Sequence, residues 1–78
     1  MNSNKLKGTR VSKNLTQKEI AEILRMNVKT YNRKELGMVD FTTSEILSVA
    51  STLEMNLSLV NEIFFDNEIT NCINGRSA

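Results

Sequence analysis

This sequence of 78 residues holds no proline, tryptophan or histidine, and only three glycines, Gly8, Gly37 and Gly75. Without proline nothing forbids helical segments, and the apolar residues recur at helical rather than alternating spacing. The lack of histidine, with the single cysteine Cys72, puts the usual four-ligand zinc sites out of reach. A lone cysteine cannot close an internal disulfide, which fits a reducing, cytoplasmic setting. The most apolar stretch, Val60 to Phe65, is interrupted by Asn61 and Glu62 and falls far short of the roughly 18 apolar residues of a membrane span. Met1 to Leu15 alternates polar and basic residues and lacks the apolar run of a secretion signal. No nucleophile–base pair, paired carboxylates or phosphate-cradling loop is present. Neither an enzymatic activity nor a cofactor, metal, membrane partner or small-molecule substrate is therefore expected.

Charge is present and unevenly placed. The net charge is +1. Up to Lys34 the chain carries Lys5, Lys7, Arg10, Lys13, Lys18, Arg25, Lys29, Arg33 and Lys34 against Glu19 and Glu22; after it, seven acids face Arg76 alone. A basic front half with an acidic back half is the asymmetry expected of a protein that turns one face to a polyanion. Nucleic acid fits better than a membrane surface, because no segment pairs its cations with a wide apolar face.

Helix starts are marked by caps. In Leu15-Thr16-Gln17-Lys18-Glu19-Ile20 the Thr16 hydroxyl can accept from the Glu19 amide while the Glu19 carboxylate reaches back, with Leu15 and Ile20 as a hydrophobic staple. Phe41-Thr42-Thr43-Ser44-Glu45-Ile46 repeats this grammar. Between the two, Asn27 caps a helix running to about Glu35 or Leu36, and Gly37 sits where a helix C-terminus favours positive φ. Further helices are expected at about Asn4 to Lys13 and, after a Ser58 cap, at Leu59 to Phe65. The pattern predicts an all-α, compact five-helix domain over residues 1–66, followed by a loosely held polar tail at 67–78.

Within that domain, residues 16–37 have the spacing of a helix-turn-helix. Ile20, Ala21 and Leu24 form the inner stripe of its first helix, Met26 fills the corner, and Tyr31 presents the large apolar body of the second. Val28, Lys29, Asn32 and Arg33 are left outside. In such a motif the second helix lies in the major groove and the first crosses the backbone. Lys29 and Arg33, one turn apart, suit guanine O6 and N7 or phosphate; Val28 suits a thymine methyl and Asn32 a base or the backbone. These four are the candidate base contacts.

Leu6, Arg10, the Leu-Thr-Gln-Lys-Glu-Ile-Ala run at 15–21, Asn27, Thr30, Glu35, Gly37 and the Leu53 to Phe65 ending together resemble the phage repressor and Cro group, the lambda-repressor-like or Xre-type helix-turn-helix family. The resemblance covers about Lys5 to Phe65. It implies five helices, a homodimer on a near-palindromic operator, a phosphate contact from Gln17, and a partly buried ion pair between Arg10 and Glu35. Asn27, Thr42, Lys5, Lys7 and Lys13 complete the candidate phosphate contacts. Leu59, Val60, Phe64 and Phe65 lie in a helix too short to bury all four, in the region through which relatives dimerise, and are the candidate dimer interface. The chain departs from the family at Arg25, where glycine is usual, at Tyr31, usually aliphatic, and at Leu36, usually polar. A non-glycine residue at Arg25 implies a strained or rearranged turn.

The function implied is a sequence-specific transcription regulator of double-stranded DNA, repressor or Cro-like, from a phage or mobile element. The alternative is a protein-interaction module on the same scaffold, as in an antitoxin or antirepressor, and a regulatory protein partner remains open in either case.

Overall fold

The structure, a computed structural model, describes residues 1–65; the expected tail at 67–78, with Cys72, lies outside them. Every regular element among the described residues is an α-helix: α1 Ser3–Ser12, α2 Gln17–Ile23, α3 Val28–Glu35, α4 Thr43–Thr52 and α5 Leu57–Phe64. None of these helices is long and apolar enough to cross a membrane.

All five begin at a side-chain cap that accepts the backbone N–H three residues on: Asn2 from Lys5, Thr16 from Glu19, Asn27 from Thr30, Thr42 from Glu45 and Asn56 from Leu59. Both Thr caps are closed by the returning glutamate, as the sequence pattern required. The last helix differs from expectation. Asn56 rather than Ser58 caps it, because Asn56 holds the extended backbone a cap needs and its Oδ1 accepts from Leu59 N at 2.8 Å, so the helix starts at Leu57.

Helices α1 to α4 end alike. The residue three past each C-terminus sends its N–H back across six residues: Leu15 to Arg10, Met26 to Ala21, Met38 to Arg33 and Met55 to Ala50, while the residue before it bonds Val11, Glu22, Lys34 and Ser51. This double closure requires a left-handed residue at each turn. Those residues are Asn14, Arg25, Gly37 and Glu54, with φ of 59°, 58°, 83° and 54°. Only Gly37 adopts that φ without steric cost, and asparagine tolerates it better than arginine or glutamate. Of the two outcomes expected at Arg25 it is therefore strain that occurs: the turn keeps its geometry.

Each helix then contributes to one core. Leu6, Ile20, Ala21, Tyr31, Val49, Leu53 and Ile63 are buried, and Leu15, Leu24, Met26, Phe41, Met55, Leu59 and Phe64 pack around them. Ala21, with nothing beyond Cβ, leaves room for α3 to lie on α2. Phe41 meets Tyr31 and Phe64 edge-on, at 6.1 and 5.4 Å between centroids, joining the third helix to the fifth. The N-terminus is tied in by the Asn2 N–H, which donates to the Ile63 carbonyl at 2.7 Å.

A left-handed L-residue costs about 1–2 kcal/mol, and the extra freedom of an unfolded glycine returns about half of that on substitution. Arg25→Gly and Glu54→Gly should each stabilise the fold by about 0.5–1 kcal/mol, measured as a raised denaturant midpoint; a lowered midpoint would contradict the strain.

Candidate nucleic-acid interface

The interface is built from a buried carboxylate outward. Arg10 and Glu35 are only 6% and 3% exposed. The guanidinium donates to Glu35 through Nε at 2.8 Å and Nη2 at 3.2 Å, and through Nη1 to the Leu15 carbonyl at 2.7 Å. The Tyr31 hydroxyl donates to Oε2 at 2.6 Å and Gln17 Nε2 to Oε1 at 3.2 Å. An ionised carboxylate has about four lone-pair sites, and here each oxygen receives two donors. Burial works against the Glu35 charge, but the hydrogen bonds from Arg10, Tyr31 and Gln17 outweigh it and hold the carboxyl below its usual range. The bond to Glu35 raises Arg10 in turn. Burial, then the bond to Glu35, pushes the Tyr31 phenol upward, so it stays a donor at every ordinary pH.

From this centre the network reaches the surface. Asn32 Nδ2 donates to Gln17 Oε1 at 3.1 Å. Gln17, Val28, Lys29, Asn32 and Arg33 line one open cleft of about 360 Å³ between α2 and α3. All four residues read from the sequence as base contacts, and one phosphate candidate, are thus side by side. The remaining phosphate candidates divide. Asn27 and Thr42 are exposed, with their side-chain oxygens engaged in capping. Lys5 pairs with Glu62, and Lys13 with Glu54 at 3.5 Å. Lys7 is exposed on α1 and makes no ion pair among the described residues.

Lys34 escaped the sequence reading. It is 8% exposed, its Nζ donates to Glu45 at 2.6 Å and to the Asp40 carbonyl at 3.2 Å, and it lies over the Phe41 ring. Burial opposes the Glu45 charge, yet Lys34 and the Thr42 amide keep that carboxyl below its usual range. Lys34 therefore anchors α3 to α4. Setting aside the paired Lys5, Arg10, Lys13 and Lys34, the cations of the basic half without an ion pair among the described residues are Lys7, Lys18, Arg25, Lys29 and Arg33. Lys18 and Arg25 could have joined the candidates from sequence as further cations of the motif; Glu22 lies four positions after Lys18, yet the two form no ion pair among the described residues.

The four dimer candidates are all half-buried: Leu59 and Phe64 rest on the core, Val60 lies beside them on α5, and Phe65 caps the end of that helix. Phe64 and Phe65 border a second groove of about 480 Å³ with Leu36, Val39, Phe41 and Ile46. Leu36 is 58% and Met38 70% exposed at the same turn. No group of three or more potential metal ligands occurs among the described residues.

Arg10→Ala should cost about 3–5 kcal/mol by stranding the Glu35 charge. The folded Glu35 carboxyl lies below its unfolded value of about 4.3, so its contribution is complete above that pH and is lost as the pH falls through the folded value. Tyr31→Phe removes one of the donors responsible. Urea unfolding should find it about 1.5–3 kcal/mol less stable at neutral pH, with a smaller loss on acidification than the parent.

No family model, no curated protein and no solved structure matches this chain, so its functional reading rests on these residues and their geometry.

Proposed function

We propose that this chain is a sequence-specific DNA-binding transcription regulator of the repressor or Cro type, using α2 and α3 as a lambda-repressor-like helix-turn-helix. The observation that carries this reading is the α2–α3 cleft, which an amide pair and an exposed Val28 line together with Lys29 and Arg33. Base edges in the major groove are recognised by this combination of donors, amides and a small apolar group. Helix α3 enters the groove by its N-terminal half, and α2 crosses the backbone with Gln17 in its first turn. Lys7, Lys18 and Arg25 supply the phosphate contacts. Lys5 and Lys13 are secondary, because Glu62 and Glu54 already compete for them.

A second copy is the partner we assign to the groove at Leu36, Val39, Phe64 and Phe65, which Ser3 and Asp40 also line, giving a homodimer whose two α3 helices meet successive half-sites. Nothing in this groove resembles the basic cleft, and the two share no lining residue.

Three to five cations per copy correspond to a slope of about −3 to −4.5 in a plot of log affinity against log salt. Fluorescence anisotropy on a selected duplex should give that slope for each bound copy, twice it for the dimer, and Lys18→Ala should reduce it by about one per copy without altering base preference. Arg33→Ala should weaken discrimination at one base position by about 1–3 kcal/mol. No binding to any duplex at low salt would overturn the reading.

A further inference from the structure

The orientation of two surface amides is decided by the buried carboxylate behind them. Glu35 accepts from Arg10, Tyr31 and Gln17 and offers no proton. Gln17 must therefore turn its nitrogen inward, since the reversed amide would set oxygen against carboxylate oxygen. Its Oε1 is left facing Asn32, which in turn must supply nitrogen, at 3.1 Å. One Nδ2 proton of Asn32 is spent on this bond. The other proton and Oδ1 have no protein partner among the described residues and lie on the cleft.

Asn32 thus offers one donor and one acceptor side by side, in an order it cannot exchange. Among major-groove edges, guanine shows N7 and O6, both acceptors; cytosine shows a single donor; thymine shows an acceptor and a methyl group. Adenine alone pairs an acceptor, N7, with a donor, N6. Resting on the DNA-binding reading above, we infer that Asn32 is the residue that selects adenine in each half-site, and that Gln17, held by Glu35, is the positioning residue that fixes its amide.

The test is selection of bound duplexes from a random pool by the full chain and by Asn32→Ala, Asn32→Asp and Gln17→Ala. The parent should enrich adenine at one position per half-site, with discrimination of roughly 5- to 150-fold. Asn32→Ala should erase that preference alone. Asn32→Asp, which presents only acceptors, should replace adenine with cytosine there. Gln17→Ala should weaken the preference at that position and leave the ranking elsewhere intact, an effect that a purely structural role would not produce. If duplexes are selected but Asn32→Ala changes no position, or Gln17→Ala lowers all affinities with the adenine preference unchanged, this inference is overturned while DNA binding stands. If the parent selects no duplex, the functional reading falls and the inference with it.

Discussion

The Glu35 carboxylate receives donors from α1, α2 and its own helix, and the rest of the molecule is arranged about that fact. Arg10 brings α1, Gln17 brings α2 and Tyr31 closes the set from one turn earlier on α3. A charge this deeply buried is tolerable only when its lone pairs are filled. Any rotation of α3 relative to α1 or α2 would empty at least one of them. The buried pair therefore acts less as a source of stability than as a device fixing the angle of one short helix. Lys34 and Glu45 do the same on the other side, between α3 and α4. Helix α3 is only eight residues long and largely polar, so packing alone would hold it weakly.

Around this centre the chain uses one economical construction repeatedly. A capped start and a left-handed double closure are applied to four helices in succession, so each connection is short and its direction is set locally. At Arg25 this construction sits between α2 and α3 and places a cation where glycine would be less strained. The proposed role of Arg25 against phosphate supplies a reason for accepting that strain, of the kind often found at functional positions.

Much of this was legible in the residues. The Thr16 and Thr42 capping boxes and the Asn27 cap marked three helix starts, and Gly37 marked one end, because these signals are local. The Arg10–Glu35 pair was implied only by resemblance, since two charges 25 positions apart carry no local sign of contact. The Tyr31 hydroxyl was missed because its ring already accounted for the residue as core. Lys34 was missed because it looks like its exposed neighbour Arg33, and only the position of Glu45 and Phe41 in space distinguishes them. Asn56 was passed over for Ser58, two similar caps a short distance apart, where the preceding turn at Glu54 decides which residue is extended. Val28, Lys29, Asn32 and Arg33 could be grouped from sequence because helical periodicity places them on one face, and they do line one cleft; that Gln17 and Asn32 share a hydrogen bond was not readable from spacing.

The account depends on the Glu35 carboxylate being charged, saturated and connected to the surface. A carbon-13 NMR titration that follows its carboxyl carbon together with the side-chain amides of Gln17 and Asn32 tests all three properties at once. The carboxyl should titrate well below the ordinary glutamate value of about 4.3, and both amide signals should shift with the same midpoint. A carboxyl titrating at or above that value, with the two amides indifferent to it, would contradict the account.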